Sequence, residues 1–381
     1  MSETAYINDK VLVGKQFRDD LTIITHGGYI STVQAADGNI GSGIQIVDLA
    51  GDYLLPGFID TQVNGGGGVL FNDHPTVDGI STIAAAHRSF GTTGLLPTLI
   101  SDELAVMKQA LAAVQEAIDQ GVPGVLGIHL EGPFLNKERR GAHDADKLRT
   151  LTREIINDLS LLPNGHTLLT VAPETVEPEL LSELINKGFI VCVGHSNARQ
   201  KQVKQALENG VRGFTHLFNA MSQLTAREAG VVGQALSDQE SWCGIIADGN
   251  HVSPTSLEVA WRCKGADRLM LVTDAMSPVG SSEKEFMLLG KRITVHDGVC
   301  LDDKGTLSGA ALDMASAVRN MARLTSCNFA EACIMASRTP AIFLGTENQR
   351  GSIKAGHHAD FVIMDDNYQV KSTIIAGQAG H

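Results

Sequence analysis

No uninterrupted apolar stretch in this 381-residue chain approaches the ~20 residues that a membrane-spanning helix needs. The first residues, Met1-Ser2-Glu3-Thr4-Ala5, lack the basic region and apolar core of a secretory leader. Positive charge is in short supply too. Thirty Lys and Arg face 43 Asp and Glu, a formal net charge of −13. With no basic patch to offset that balance, a nucleic-acid partner is not expected, and an anionic small substrate needs local cationic groups. The six cysteines (Cys192, Cys243, Cys263, Cys300, Cys327, Cys333) contain no CxxC spacing. They are read as reduced thiols of a cytoplasmic protein, with Cys192 and Cys243 inside core strands. Low-complexity tracts are missing as well. The 43% apolar and 19% charged composition, with 40 glycines, is that of an ordinary globular enzyme.

What the chain does have is a set of apolar runs closed by polar residues. Val125–Pro133 carries Glu131, Phe189–Ser196 carries His195, Gly213–Asn219 carries His216, and Leu269–Asp274 ends in Asp274. Near-continuous apolar runs are the mark of buried parallel strands, and a polar residue closing one lies at the carboxyl edge of the sheet. Strand signals recur near 57–64, 92–100, 124–131, 166–173, 189–195, 213–219, 243–248 and 269–274. Helical stripes separate them, such as Leu104, Met107, Leu111, Val114 and Ile118. Glycines follow three of these helices, at 121, 188 and 210. This rhythm predicts an α/β fold, a (β/α)8 TIM-type barrel.

The length exceeds a barrel of ~250 residues. Short alternating runs before residue 55 (Leu21–Ile24, Tyr29–Val33, Ile44–Val47) resume after residue 351 as Phe361–Met364 and Ser372–Ile375. They predict a small β-sandwich built from both termini, residues 1–54 and 346–381, flanking a barrel over 55–345. Residues 286–308 read as a hairpin excursion with a turn at His296-Asp297-Gly298, whose end, Gly305–Gly309, folds back over the barrel mouth.

Barrel enzymes keep their chemistry at the carboxyl edge. Glu131, His195 and His216 supply one oxygen and two nitrogen donors, which leaves an open position on a four-coordinate Zn²⁺. Asp274 is then placed to accept the proton of a metal-activated water and pass it to a leaving group.

Six segments together resemble the motifs of the N-acetylglucosamine-6-phosphate deacetylases, a branch of the amidohydrolase superfamily. They are Asp60–Gly65, His129–Phe134, Gly194–Ala198, Thr215–Met221, Asp248–His251 and Val272–Ala275. Gly351–Asp360 resembles the segment that closes the sandwich of amidohydrolases, so the likeness runs nearly end to end. The resemblance implies a metal-dependent deacetylase of amino-sugar catabolism, taking N-acetylglucosamine 6-phosphate to glucosamine 6-phosphate and acetate. Gln62 and Asn64 stand where many amidohydrolases carry His-x-His. Amides are weak ligands, which implies one divalent ion per subunit, with Gln62 and Asn64 orienting water or substrate. Zn²⁺ leads, and Fe²⁺, Co²⁺ or Mn²⁺ also suit the donor set.

By the same resemblance His143 approaches the substrate amide and stabilises the oxyanion. Ala142, Asn219, Ala220, Arg227, Asp248, His251, Leu307, Ser308 and Gly309 contact the sugar phosphate. Arg227 and His251 act across a homodimer interface in relatives. The chain departs from them at Asp144-Ala145-Asp146, where Asn-Pro is common, and at Ala229, where Pro is usual. Two alternatives stay open on sequence: another amidohydrolase reaction, such as deamination or cyclic-amide hydrolysis, and a non-enzymatic scaffold.

Overall fold

The computed structural model describes residues 3–296 and 298–379. Asp297, at the centre of the expected hairpin turn, lies outside them. Eight parallel strands form the central sheet in sequential order. They are β1 (Phe58–Val63), β2 (Thr92–Ile100), β3 (Gly127–Glu131), β4 (His166–Val171), β5 (Ile190–Val193), β6 (Gly213–Phe214), β7 (Trp242–Ile245) and β8 (Leu269–Leu271). Each coincides with an expected strand, and the sheet curls into a TIM-type barrel. The chain beyond β8 meets β1 through a parallel bridge between Ala275 and Val63, with Asp274 N–H donating to the Gln62 carbonyl at 3.0 Å. Asp60 on β1 clasps the same seam, accepting from the Thr273 hydroxyl at 2.5 Å.

The strands form for the reason the sequence suggests. All nine residues of β2 are buried, as sheet covered on both faces requires. Pro97 lacks an N–H to donate, and the pairing of β2 with β1 shifts register between Leu95 and Pro97. Around the barrel, the helix Leu104–Asp119 buries Met107, Leu111 and Val114 from its expected stripe, together with Ala110, Ala113 and Ala117. Leu104 and Ile118, at its ends, are half-buried. Gly121, at φ 71°, turns the chain away after it. Gly188, at φ 113°, caps the helix Pro178–Lys187.

Strands from both ends of the chain form two further sheets. One joins Thr4–Ile7, Leu21–His26, Tyr29–Ala35 and Gln45–Asp48; the other joins Lys10–Val13, Gln16–Arg18, Tyr53–Pro56, Phe361–Met364, Val370–Ile375 and Gln378–Ala379. Tyr6, Ile23 and Ile30 from the first pack with Val11, Leu54, Phe361 and Ile374 from the second in one apolar core. The expected hairpin excursion is a four-stranded antiparallel sheet of Glu285–Leu288, Lys291–His296, Val299–Asp302 and Leu307–Ala310. Its last strand is tied to the end of β8, because Ala310 N–H donates to the Asp274 carbonyl at 2.9 Å. That tie brings this flap over the barrel mouth.

At that mouth the backbone does something unusual for non-glycine residues. His195, His216 and Asp274 have φ of 48°, 30° and 51°, each just past the end of a barrel strand. Left-handed backbone costs an L-residue roughly 1–2 kcal/mol. Here it swings three chemically active side chains off the ladder and into the mouth.

Candidate metal and active site

Glu131 closes β3, and His195 and His216 follow β5 and β6. Glu131 Oε1 lies 3.0 Å from His195 Nε2 and 2.9 Å from His216 Nε2, and the two imidazole nitrogens are 3.0 Å apart. All three residues are buried. His195 Nδ1 sits 2.9 Å from the Arg139 carbonyl. A carbonyl only accepts, so Nδ1 carries a proton there, and Nε2 faces the cluster. One carboxylate oxygen and two imidazole nitrogens converging this closely form a donor set for a cation. Burial would raise Glu131, yet the hydrogen bonds from His195 and His216 outweigh it and hold its carboxyl well below the usual range. A divalent cation replaces such protons at a Glu/His/His donor set. The cluster fits one.

Asp274 stands beside this trio. Its Oδ1 accepts from Asn64 Nδ2 at 2.7 Å and from Gln62 Nε2 at 3.1 Å. Gln62 Nε2 also reaches Glu131 Oε2 at 3.2 Å, so one amide group bridges the cluster and Asp274. Both amides engage Oδ1, and neither reaches Oδ2. Burial, then the charge of Glu131, pushes Asp274 up to about 6. His143 packs edge-on against His195 with ring centroids 4.4 Å apart. Burial, then the charge of His195, drives it down to about 3, so it is neutral. Its Nδ1 takes the Ser101 backbone N–H at 3.2 Å.

These groups open onto a cavity of about 430 Å³ lined by Asn64, Glu131, Ala142, His143, His195, His216, Asn219, Ala220, His251, Asp274, Leu307 and Gly309, all of them singled out in the sequence. Gly305 and Thr306, from the segment expected to fold back over the mouth, also line it, and Ile100, Gly141, Met276 and Leu288, which were not expected as site residues, complete it. Ile100 closes β2 and Met276 follows β8, so strand-end position was a signal for both. Leu288 and Thr306 arrive on the flap, whose register the sequence does not encode locally.

Four expected residues lie outside that lining. Gln62 works from behind it. Asp248 is fully engaged with its own turn, accepting from the backbone N–H groups of Asn250 and His251 at 2.8 Å each and pairing with His251 Nδ1 at 2.6 Å. It therefore reaches the cavity only through His251. Ser308 lines a neighbouring cavity with Arg140, Lys291 and Lys304. Arg227 is exposed on the loop after His216. His251 lines the cavity of its own chain, so it needs no second subunit to reach this site. Among the described residues, no Lys or Arg lines this cavity.

The profile of the amidohydrolase family matches residues 53–380. The N-acetylglucosamine-6-phosphate deacetylase of Haemophilus influenzae is 33% identical over 377 residues, 98% of each chain. The chain belongs to the amidohydrolase family, in its N-acetylglucosamine-6-phosphate deacetylase branch. This amidohydrolase is also 48% identical, over 87% of its length and 84% of the relative's, to the N-acetylgalactosamine-6-phosphate deacetylase of Shewanella sp. (strain ANA-3). The crystal structure of N-acetylglucosamine-6-phosphate deacetylase from Pasteurella multocida superposes with a TM-score of 0.95 at 33% identity, covering 99% of both chains. A mutant of the Mycobacterium smegmatis enzyme, solved with N-acetyl-D-glucosamine-6-phosphate, superposes with a TM-score of 0.91 at 27% identity, covering 100% of this chain and 99% of that one. No described helix of the amidohydrolase is long and apolar enough to cross a membrane.

Proposed function

We propose that this amidohydrolase removes the acetyl group of N-acetyl-D-glucosamine 6-phosphate, giving D-glucosamine 6-phosphate and acetate in amino-sugar catabolism. The observation that carries the reading is Asp274 held by two amides beside the buried Glu131/His195/His216 cluster, at the floor of a sugar-sized cavity. Glu131, His195 and His216 would hold one divalent ion per subunit, Zn²⁺ first among the candidates. When bound, it supplies Lewis acidity to the acetyl carbonyl and acidifies a water. Asp274 Oδ2 takes the proton of that water as its oxygen bonds to the carbonyl carbon. His143 donates to the carbonyl oxygen as negative charge gathers there, a placed donor whose neutrality follows from its burial. Asp274 then returns the proton to the amide nitrogen, the C–N bond breaks, and the amine leaves with the sugar.

Asn219, the backbone at Ala220, and His251 steadied by Asp248 would hold the sugar phosphate. Leu307, Ser308, Gly309 and Ala142 would close over it. Because no Lys or Arg lines the cavity, we assign the remaining cation to Arg227 donated by a second subunit of a cytoplasmic homodimer.

A second reading concerns the sugar. The Shewanella relative at 48% identity is named for N-acetylgalactosamine 6-phosphate, the epimer at C4, and nothing in the reaction above depends on that hydroxyl. Acetate release from both phosphorylated epimers and from unphosphorylated N-acetylglucosamine, set beside ring opening of a cyclic amide, separates the possibilities. The glucosamine reading expects the highest kcat/KM on N-acetylglucosamine 6-phosphate. Tenfold preference for the galacto epimer would move the assignment to it, and turnover of the cyclic amide alone would sink both.

A further inference from the structure

The sequence offers no reason to single out Ser101, yet it lies at the carboxyl end of β2, immediately after Ile100, and 1% of it is exposed. Both of its hydrogen-bond donors converge on one atom. The Ser101 backbone N–H reaches His143 Nδ1 at 3.2 Å, and Ser101 Oγ lies 2.8 Å from the same nitrogen. A backbone N–H can only donate, so Nδ1 must offer its lone pair, and the neutral ring then carries its hydrogen on Nε2. His143 lines the cavity. We infer that Ser101 is a positioning residue that fixes the tautomer and ring plane of His143, so that His143 faces the substrate as an Nε2–H donor.

The hydroxyl has a second neighbour, although its one hydrogen goes to the nearer Nδ1. Ser101 Oγ also lies 3.4 Å from the Glu131 carbonyl, which places it between the end of β3 and the loop that carries His143. The next residue after Glu131 is Gly132, at φ 95°, and a Cβ there would lie 2.3 Å from Ser101 Oγ. The chain keeps this backbone bare where the hydroxyl must fit. Ser101 thus links the strand bearing Glu131 to the ring that faces the reacting carbonyl, without touching the substrate.

The inference rests on the proposed role of His143, so its first test is independent of turnover. In the zinc-loaded enzyme with ¹⁵N-labelled histidine, long-range ¹H–¹⁵N correlation, assigned by difference with His143→Gln, should find the His143 proton on Nε2. A proton on Nδ1 overturns the proposal whatever the activity. Kinetics then test Ser101 itself. Partners that orient an active-site histidine are worth about 10–100-fold, so Ser101→Ala should lower kcat about tenfold with KM within about twofold. Ser101→Thr, which keeps the hydroxyl, should recover most of the loss. The substitutions at 143 separate the two nitrogens. Gln places an amide N–H where Nε2 was and Asn where Nδ1 was, so His143→Gln should outperform His143→Asn. An unchanged kcat in Ser101→Ala, or a loss that tracks zinc content or thermal stability, would assign Ser101 to packing instead. If no variant or wild-type enzyme released acetate while the proton sat on Nε2, the functional reading would fail and the assignment of the tautomer would stand.

Discussion

Replacing Asp274 by Asn isolates the proton transfer from everything else at the site. Asp274 Oδ1 is held by Asn64 at 2.7 Å and Gln62 at 3.1 Å, both of them amide donors. The Asn oxygen can take that same place, so the rotamer should persist and the new NH₂ should fall where Oδ2 was. The backbone at φ 51° favours Asn among non-glycine residues. Burial pushes the Asp274 carboxyl up to about 6, so a neutral amide also removes a poorly solvated charge. Stability should therefore hold or rise. What Asn cannot do is accept a proton. General acid–base catalysis is worth roughly 10²–10⁴-fold, about 2.7–5.5 kcal/mol in barrier, and kcat should fall by that much while zinc content stays at the wild-type level. Acetate release, elemental analysis and a thermal scan on the same preparation give the three readouts. In the wild type, kcat/KM should fall as pH drops, because the charged form of Asp274 is the one that accepts. The cation's own charge should pull that limb below about 6. The residual rate of Asp274→Asn should lack the limb. Near-normal turnover with zinc retained would refute the role of Asp274 outright.

Three further outcomes are expected. Elemental analysis of the active enzyme should approach one tight divalent ion per chain, and His195→Ala or His216→Ala should lose metal and turnover together; two tight ions would contradict the reading of Gln62 and Asn64. Arg227→Gln should raise KM for the phosphorylated sugar more than it lowers kcat, and mixing it with Asp274→Asn chains should restore some activity if Arg227 crosses a dimer interface; equal losses on phosphorylated and unphosphorylated sugars would withdraw the phosphate role. Gly132→Ala would force a Cβ to 2.3 Å from Ser101 Oγ at φ 95°, so unfolding experiments should show a loss of about 1–3 kcal/mol, and an unchanged midpoint would show that the strand end relaxes freely.

The parts legible in the sequence were those written in local pattern. Eight buried runs became eight barrel strands, and the polar residues closing four of them, Glu131, His195, His216 and Asp274, converge at one mouth. The runs overstated the ladder, however. Within 213–219 the regular strand is only Gly213–Phe214, because His216 and Phe218 adopt positive φ, although Thr215 and Leu217 N–H still reach the Val193 and Gly244 carbonyls. Ser101 and Met276 escaped notice although they too lie at or just past strand ends, because a serine or a methionine there carries no chemistry until its neighbours are known. Leu288 and Thr306 depend on how the flap meets the Asp274–Met276 segment beyond β8, a contact set by distant backbone hydrogen bonds. Asp248 was read as a substrate contact, but its carboxylate is spent on its own turn and on His251.

The two-ended sheet has a consequence during synthesis. Leu54, Leu55 and Pro56 pair with Phe361–Ile363, and roughly 300 residues lie between them. At ~5–20 residues per second, the early strand leaves the ribosome about 15–60 s before its partner exists. Throughout that interval Tyr53–Pro56 has a bare edge and Leu54 an uncovered face, the condition under which nascent strands find the wrong neighbour. The barrel has its full complement of strands first, and Phe361–Met364 arrives after it to cover the strand that waited.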